Sequence, residues 1–399
     1  MGCGHAADDD VAARDVDPQA QVVVGGGRTG GPSVGTVSRN GGDGSTTTAT
    51  PTQPTAPPNA PGATPTSAPA TRAELGRALF FDTALSEPAG LACGTCHQER
   101  AAFVDPRGGP TSQGSLPGRA GARNTPSILY ASLVPPLQQV GEDFEGGLFL
   151  DGRVDTLEQQ AAAPFTNPVE MANPSVATVM AKVRRASYAG TFAALFGSSV
   201  LADDQAGFRA VTQALAAFER ERQHARFTSR YDAFLAGRGT LSAAERRGLV
   251  LFEGKARCSG CHPSATDPVT GAAPMFTRFD YHNLGIPKNP ANPFYTLAPR
   301  FNPEGEDFVD HGLGAHVGDA EDGKFRTPTL RNVGRTAPYG HNGFFPTLRS
   351  IVDFYNSRDV ADWPLPEIEA TMSRGIGDIG LTSAEIDDVV AFLLTLTDQ

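Results

Sequence analysis

Four of the five cysteines in this chain of 399 residues fall into two Cys-x-x-Cys-His units: Cys93, Cys96 and His97, then Cys258, Cys261 and His262. Two thiols at that spacing with an imidazole directly after them suit covalent haem attachment. Each thiol adds across a vinyl group of the macrocycle, and the histidine is delivered to the iron as its proximal ligand. Two other chemistries compete. The units together offer four Cys and two His, which could form a zinc array, and a Cys-x-x-Cys pair could act as a redox dithiol. Recurrence of the whole unit at so low a cysteine frequency favours haem.

Each unit follows the same kind of element. Thr71-Arg72-Ala73-Glu74 is a capping box that predicts a helix over Leu75 to Phe81, and Ser242-Ala243-Ala244-Glu245 predicts one over Arg246 to Phe252. Both helices carry Gly-x-x-Leu-Phe: Gly76, Leu79 and Phe80 in the first, Gly248, Leu251 and Phe252 in the second. Each half closes on an amphipathic helix, with Val211, Leu215 and Phe218 in one and Ile386, Val389, Val390 and Leu393 in the other, the latter capped by Thr382 with Glu385. A helix, a loop and an attachment motif occurring twice imply related units in tandem. The fold class expected is mostly α: two tandem cytochrome c-like haem domains, 73–237 and 238–399, preceded by a disordered N-terminal tether over 1–72.

The tether expectation rests on composition, because residues 4 to about 72 are dominated by Gly, Thr, Pro, Ala and Asp and cannot bury enough surface to offset their ordering. Gly25 to Gly30 match a dinucleotide-binding fingerprint, but Gly31-Pro32-Ser33 follow where that motif needs a helix. Met1-Gly2-Cys3-Gly4 resembles the start of a bacterial lipoprotein with its signal sequence gone, which makes Cys3 a candidate lipid anchor and a free thiol the alternative. A net charge of −11 with no basic run argues against nucleic acid as a partner. It favours, weakly, a basic donor protein.

Further strings resemble the bacterial di-haem cytochrome c peroxidase and MauG family: Arg123-Asn124-Thr125-Pro126-Ser127, Asp151-Gly152-Arg153, Asn167-Pro168-Val169-Glu170-Met171, Thr327 to Val333, and Thr336 to Gly343. The resemblance runs from about Glu74 to the C-terminus. It implies two covalently bound haem c groups, with His97 holding the haem 1 iron, where peroxide reacts, and His262 holding the haem 2 iron. It places Gln160, Pro164 and Glu170 on the distal face of haem 1. A carboxylate there can take the proton from the attacking oxygen and return it to the leaving one, while Gln160 orients peroxide or water. It implies one Ca2+ between the haems, on Asn124 and the backbone carbonyls of Thr336 and Pro338, all hard oxygen ligands. Arg326 is expected to pair with a haem propionate.

Three departures refine the expectation. Ser115 follows Thr111-Ser112-Gln113-Gly114 where activated peroxidases carry a removable His ligand, so the haem 1 pocket should be open at rest. Leu150 replaces the Trp that usually precedes Asp-Gly-Arg between the haems. Tyr355 stands where the peroxidases place a Met ligand to haem 2, as in the MauG branch. His224, His282, His311 and His316 have no haem-binding spacing and are read as surface or hydrogen-bonded groups, and Met171 and Met275 as packing residues.

The resulting expectation is a hydrogen-peroxide-dependent haem oxidoreductase. Its partners would be peroxide and an electron-donor protein or oxidisable substrate, with a homodimer as a further expectation. The alternative is a di-haem electron-transfer cytochrome without peroxidase turnover. A haem-based sensor is a third reading, which would need a fused signalling or DNA-binding domain. Covalent haem is assembled outside the cytoplasm, so the expected location is the periplasm. Intact-mass measurement on protein made with a c-type maturation system should show two haem additions; one or none would sink the central claim.

Overall fold

A computed structural model describes residues 68–399. Cys3, the Gly25 to Gly30 stretch and nearly all of the expected tether lie outside those residues.

The capping boxes form as expected. Thr71 Oγ1 accepts from Glu74 N at 3.1 Å while the Glu74 carboxylate accepts from Thr71 N at 3.0 Å. Ser242 with Glu245 and Thr382 with Glu385 repeat the exchange. Because helical residues follow directly on each cap, the helices are Arg72–Phe80 and Ala243–Glu253, starting three residues earlier than expected. The other two expected helices are Asp204–Glu219 and Ser383–Leu394. The rest of the described chain is short helices and loops with two two-stranded antiparallel sheets.

The four helices pair, Arg72–Phe80 on Asp204–Glu219 and Ala243–Glu253 on Ser383–Leu394. Each pair seeds a separate apolar cluster. Leu75, Leu79, Phe80, Val211, Leu215 and Phe218 belong to one, and Phe252, Ile386, Val389, Phe392 and Leu393 to the other. The repeated glycine sits where each pair crosses. A Cβ at Gly76 would collide with the carbonyl of Ala214, and one at Gly248 with the carbonyl of Asp388, so the missing side chain sets how closely the backbones approach. Part-buried polar contacts gather both halves on the C-terminus: Tyr130 Oη of the first half donates to Asp398 Oδ2 at 2.7 Å, and Asn332 Nδ2 of the second donates to the same carboxylate at 2.9 Å.

The strand pair Tyr281–His282 with Phe325–Arg326 matters most for position. Its register sets Tyr281 opposite Arg326 and His282 opposite Phe325. Arg326 N in turn donates to the carbonyl of Leu150 at 2.8 Å, fixing the segment expected between the haems.

Overpacking at a helix crossing costs about 1–3 kcal/mol. Denaturant unfolding of the holoprotein should show losses in that range for Gly76→Ala and Gly248→Ala. Gly190→Ala is the control, since nothing lies within 4 Å of a Cβ there, and it should be neutral or stabilising.

Candidate haem sites

Both attachment histidines are held in one orientation by their own chain. His97 Nδ1 donates to the carbonyl of Phe103 at 3.0 Å, and His262 Nδ1 donates to the carbonyl of Phe276 at 2.7 Å. A carbonyl only accepts, so the proton is fixed on Nδ1 and the Nε2 lone pair is free. Burial lowers the pKa of both, for His262 to about 4, against the opposing pull of the carbonyls, so both rings are neutral and able to ligate a metal.

Each histidine lines its own cavity. The first, of about 460 Å³, is walled by Phe80, Cys93, Cys96, His97 and residues of the Leu157–Thr166 helix and the turn after it. That helix is capped by Thr156 and supplies Gln160 and Pro164; the turn supplies Glu170. All three expected distal residues therefore share one wall. Burial raises the pKa of the Glu170 carboxyl, with the Arg153 charge and Asn167 opposing it only in part. Ser115 N donates to the carbonyl of Glu170 at 2.7 Å, while its hydroxyl donates to the carbonyl of Glu87 at 2.8 Å. Ser115 is not part of the cavity wall.

The second cavity, of about 340 Å³, is lined by Cys258, Cys261, His262, Arg326 and Tyr355. Tyr355 comes from the Leu348–Ser357 helix, whose Leu348, Val352 and Phe354 are buried in packing. Burial, then the nearby thiols of Cys258 and Cys261, raise the Tyr355 phenol well above its usual range. Arg326 Nε is buried without a hydrogen-bond partner, as are both ring nitrogens of His341, which stacks on Phe325 at 3.9 Å. Unpaired buried donors beside an apolar cavity are costly unless a charged group meets them, and haem propionates supply that charge. The thiols, the free Nε2 atoms and these unpaired groups fit a haem at each site.

Leu150 lines both cavities, with Asn124, Thr125, Pro126 and Asp310. Around it runs a charge network centred on the buried carboxylates of Asp151 and Asp310. Arg123 donates to both oxygens of Asp310 at 2.7 Å and lies 2.6 Å from Asp151, which also holds Arg153 at 2.7 Å and His316 at 3.1 Å. Burial pushes Asp310 upward, but the Arg123 charge and hydrogen bonds outweigh it and hold its pKa at about 2.

Asn124, Thr336 and Pro338 share the wall of the second cavity, and the Asn124 amide donates to the carbonyl of Pro110 at 3.1 Å. Met171 is buried in the first apolar cluster, and Met275 does not line the second cavity. His311 pairs with Asp322, and His224 is buried with its ring edge-to-face on Phe103 and Phe218. His282 is hydrogen-bonded, but at a place its spacing did not signal: it lines the second cavity, 3.1 Å from Asp280 and 3.3 Å from Cys261 Sγ, and the Asp280 hydrogen bond raises its pKa to about 10. Sequence reasoning also missed His341 and Glu219. Glu219 lines the first cavity, and burial lifts its carboxyl to about 8. The signal was available, since Glu219 stands four residues after Leu215 on the buried face of its helix.

Comparison with known proteins agrees. Residues 70–240 match the family profile described as di-haem cytochrome c peroxidase. The chain is 39% identical over 350 residues to the methylamine utilization protein MauG of Paracoccus denitrificans, covering 82% of this chain and 88% of that one. It is 29% identical over 334 residues to the cytochrome c551 peroxidase of Nitrosomonas europaea, covering 82% and 80%. Among solved structures, the diheme peroxidase BthA of Burkholderia thailandensis superposes with a TM-score of 0.74 at 35% identity, covering 83% of this chain and 87% of that one. A tyrosine-to-methionine variant of that peroxidase superposes with a TM-score of 0.73. With two haem-binding motifs on two fitting cavities, this chain belongs to the di-haem cytochrome c peroxidase and MauG family, haem oxidoreductases that act with peroxide and carry two c-type haems.

Proposed function

We propose that the chain is a MauG-like peroxidase that reduces hydrogen peroxide at haem 1, over His97, and oxidises an external donor, protein or small molecule, through a haem 2 ligated by His262 and Tyr355. The observation that carries this reading is the buried Glu170 carboxyl, on the wall of the cavity that His97 faces, with Ser115 turned to Glu87 instead of into it. When bound, the haem irons supply the electrons that cleave the O–O bond. The protein supplies the proton handling. Glu170, whose carboxyl burial makes more proton-retentive, would take a proton from one oxygen of peroxide and return it to the other. Gln160 orients the peroxide through its amide, and the Pro164 ring keeps water from the same wall.

Tyr355 sets the character of haem 2. A buried phenol resists ionisation, so a phenolate at Tyr355 needs a cation beside it, and a ferric iron provides one. The phenolate is a hard ligand that favours higher oxidation states, whereas a thioether would stabilise Fe(II). Arg326 and His341 would meet haem 2 propionates with their unpaired nitrogens. One Ca2+ would be held by Asn124 with the carbonyls of Thr336 and Pro338. The domains would run over 73–237 and 238–399, each with one haem; the two apolar clusters follow that division except that Tyr231 and Phe234 pack in the second. Among the described residues no helix is long and apolar enough to cross a membrane, and we place the chain in the periplasm, with Cys3 as the candidate lipid tether.

Glu170→Gln should retain both haems yet slow peroxide reduction by about two to four orders of magnitude in stopped-flow mixing. Unchanged rates would assign Glu170 to structure and favour an electron-transfer cytochrome. Tyr355→Met should raise the haem 2 potential markedly with both haems still attached. A solved tyrosine-to-methionine variant of the Burkholderia peroxidase shows that one family member accepts this kind of exchange. If redox titration finds the haem 2 potential and ferric spectrum unaltered, Tyr355 is not the ligand.

A further inference from the structure

The chain carries 44 acidic and 33 basic residues, yet its second attachment turn is flanked by arginines. Arg257 directly precedes Cys258. Arg278 is tied to the same turn, with its backbone N donating to the carbonyl of Cys261 at 3.1 Å and its Nε to the carbonyl of Gly260 at 2.7 Å. Arg257 Nη1 donates to the carbonyl of Gly375 at 3.4 Å, which sets the backbone next to Arg374 beside this turn. All three side chains are exposed, and none forms an ion pair among the described residues. The acidic groups nearby are mostly engaged. Glu253 accepts from Ser264 Oγ at 2.6 Å, Asp280 from His282, and Glu385 pairs with Lys255 at 2.7 Å. Asp378, Glu253 and Glu369 remain exposed carboxylates without an ion pair among the described residues, and none of them pairs with the three guanidinia.

We propose that this arginine-flanked turn, where Cys258 and Cys261 anchor the edge of haem 2, is the docking face for an acidic redox partner that exchanges electrons with haem 2. The inference rests on the di-haem reading above. It reverses, at this face, the expectation of a basic partner drawn from net charge, because steering is set by the local field at the encounter surface and falls off within about 8–10 Å at physiological salt. A carboxylate-bearing partner meets three guanidinia that form no ion pair among the described residues. Planar guanidinia also suit paired hydrogen bonds to carboxylates. A basic partner would be repelled from the same edge.

The test uses the dithionite-reduced holoenzyme and two small oxidants of opposite charge. Each takes one electron from the reduced protein: ferricyanide, an anion, becomes ferrocyanide, and tris(phenanthroline)cobalt(III), a cation, becomes its cobalt(II) form. Stopped-flow reoxidation by ferricyanide should slow as salt is added. The triple variant Arg257→Gln, Arg278→Glu, Arg374→Glu should lower its rate at least about tenfold at low salt, while the cobalt complex reacts as fast or faster. A variant that slows both oxidants together has lost structure and not only charge. For that reason the milder pair Arg278→Gln with Arg374→Gln is measured beside it. A ratio of the two rates within twofold of the parent in that pair overturns the docking face. Haem content separates the two levels of the argument. A holoenzyme with one haem overturns the di-haem reading as well, whereas two haems with an unmoved ratio remove only the acidic partner.

Discussion

A hydrogen bond from imidazole Nδ1 to a backbone carbonyl, made once by His97 to Phe103 and once by His262 to Phe276, is the constraint on which the site chemistry hangs. It selects one tautomer, aims the opposite nitrogen into a cavity and prevents the ring from turning to satisfy itself elsewhere. The accepting residues, Phe103 and Phe276, are themselves buried, in the first and second apolar clusters. The ring of each histidine is thus referenced to a core and not to a surface loop. The helix crossings at Gly76 and Gly248 support those cores, so a change in helix spacing would be felt at the iron ligand.

The segment between the two cavities obeys a different rule. Asp151 and Asp310 are buried there and Arg123 is largely so, with Arg153 reaching in from the exposed side, and burying such charges is costly unless they compensate one another. They do: two cations face two carboxylates, and Asp151 is further held by His316. Leu150, adjacent to Asp151 and pinned by Arg326 N, is the apolar element of this wall. An aliphatic side chain offers no intermediate station for a migrating electron hole. With a haem in each cavity, as proposed, Leu150 would offer no such station where an indole could.

Much of this was legible in sequence because it is local. Capping boxes, the repeated Gly-x-x-Leu-Phe helices and the two attachment motifs depend on residues a few positions apart, and the structure shifts the helix starts by three residues and their ends by one. Gln160, Pro164 and Glu170 were placed on one wall by resemblance, and they line the same cavity. What was not legible depends on contacts across long sequence separations. Phe294, Phe301 and Phe308 belong to the second half of the chain yet line the first cavity, and no local pattern announces that. The unpaired nitrogens of Arg326 and His341 became informative only once burial was known. His282 looked like any lone histidine until the strand pairing set it beside Cys261.

Net charge was the least transferable sequence quantity. A value of −11 describes the whole chain, including the acidic residues outside 68–399, such as Asp8, Asp9 and Asp10. Ionic screening means that a partner approaching haem 2 responds to charges within roughly a Debye length of the contact, about 8 Å at physiological salt. There the chain presents Arg257, Arg278 and Arg374. At haem 1 the charges lie in the cavity wall itself, with Glu170 and Glu219 both pushed toward their neutral forms by burial. Uncharged peroxide enters that cavity without long-range steering by these charges, and under the proposal above the arginine edge steers a charged protein. The two ends of the molecule are thus matched to reactants of different charge, which an average over 399 residues could not reveal.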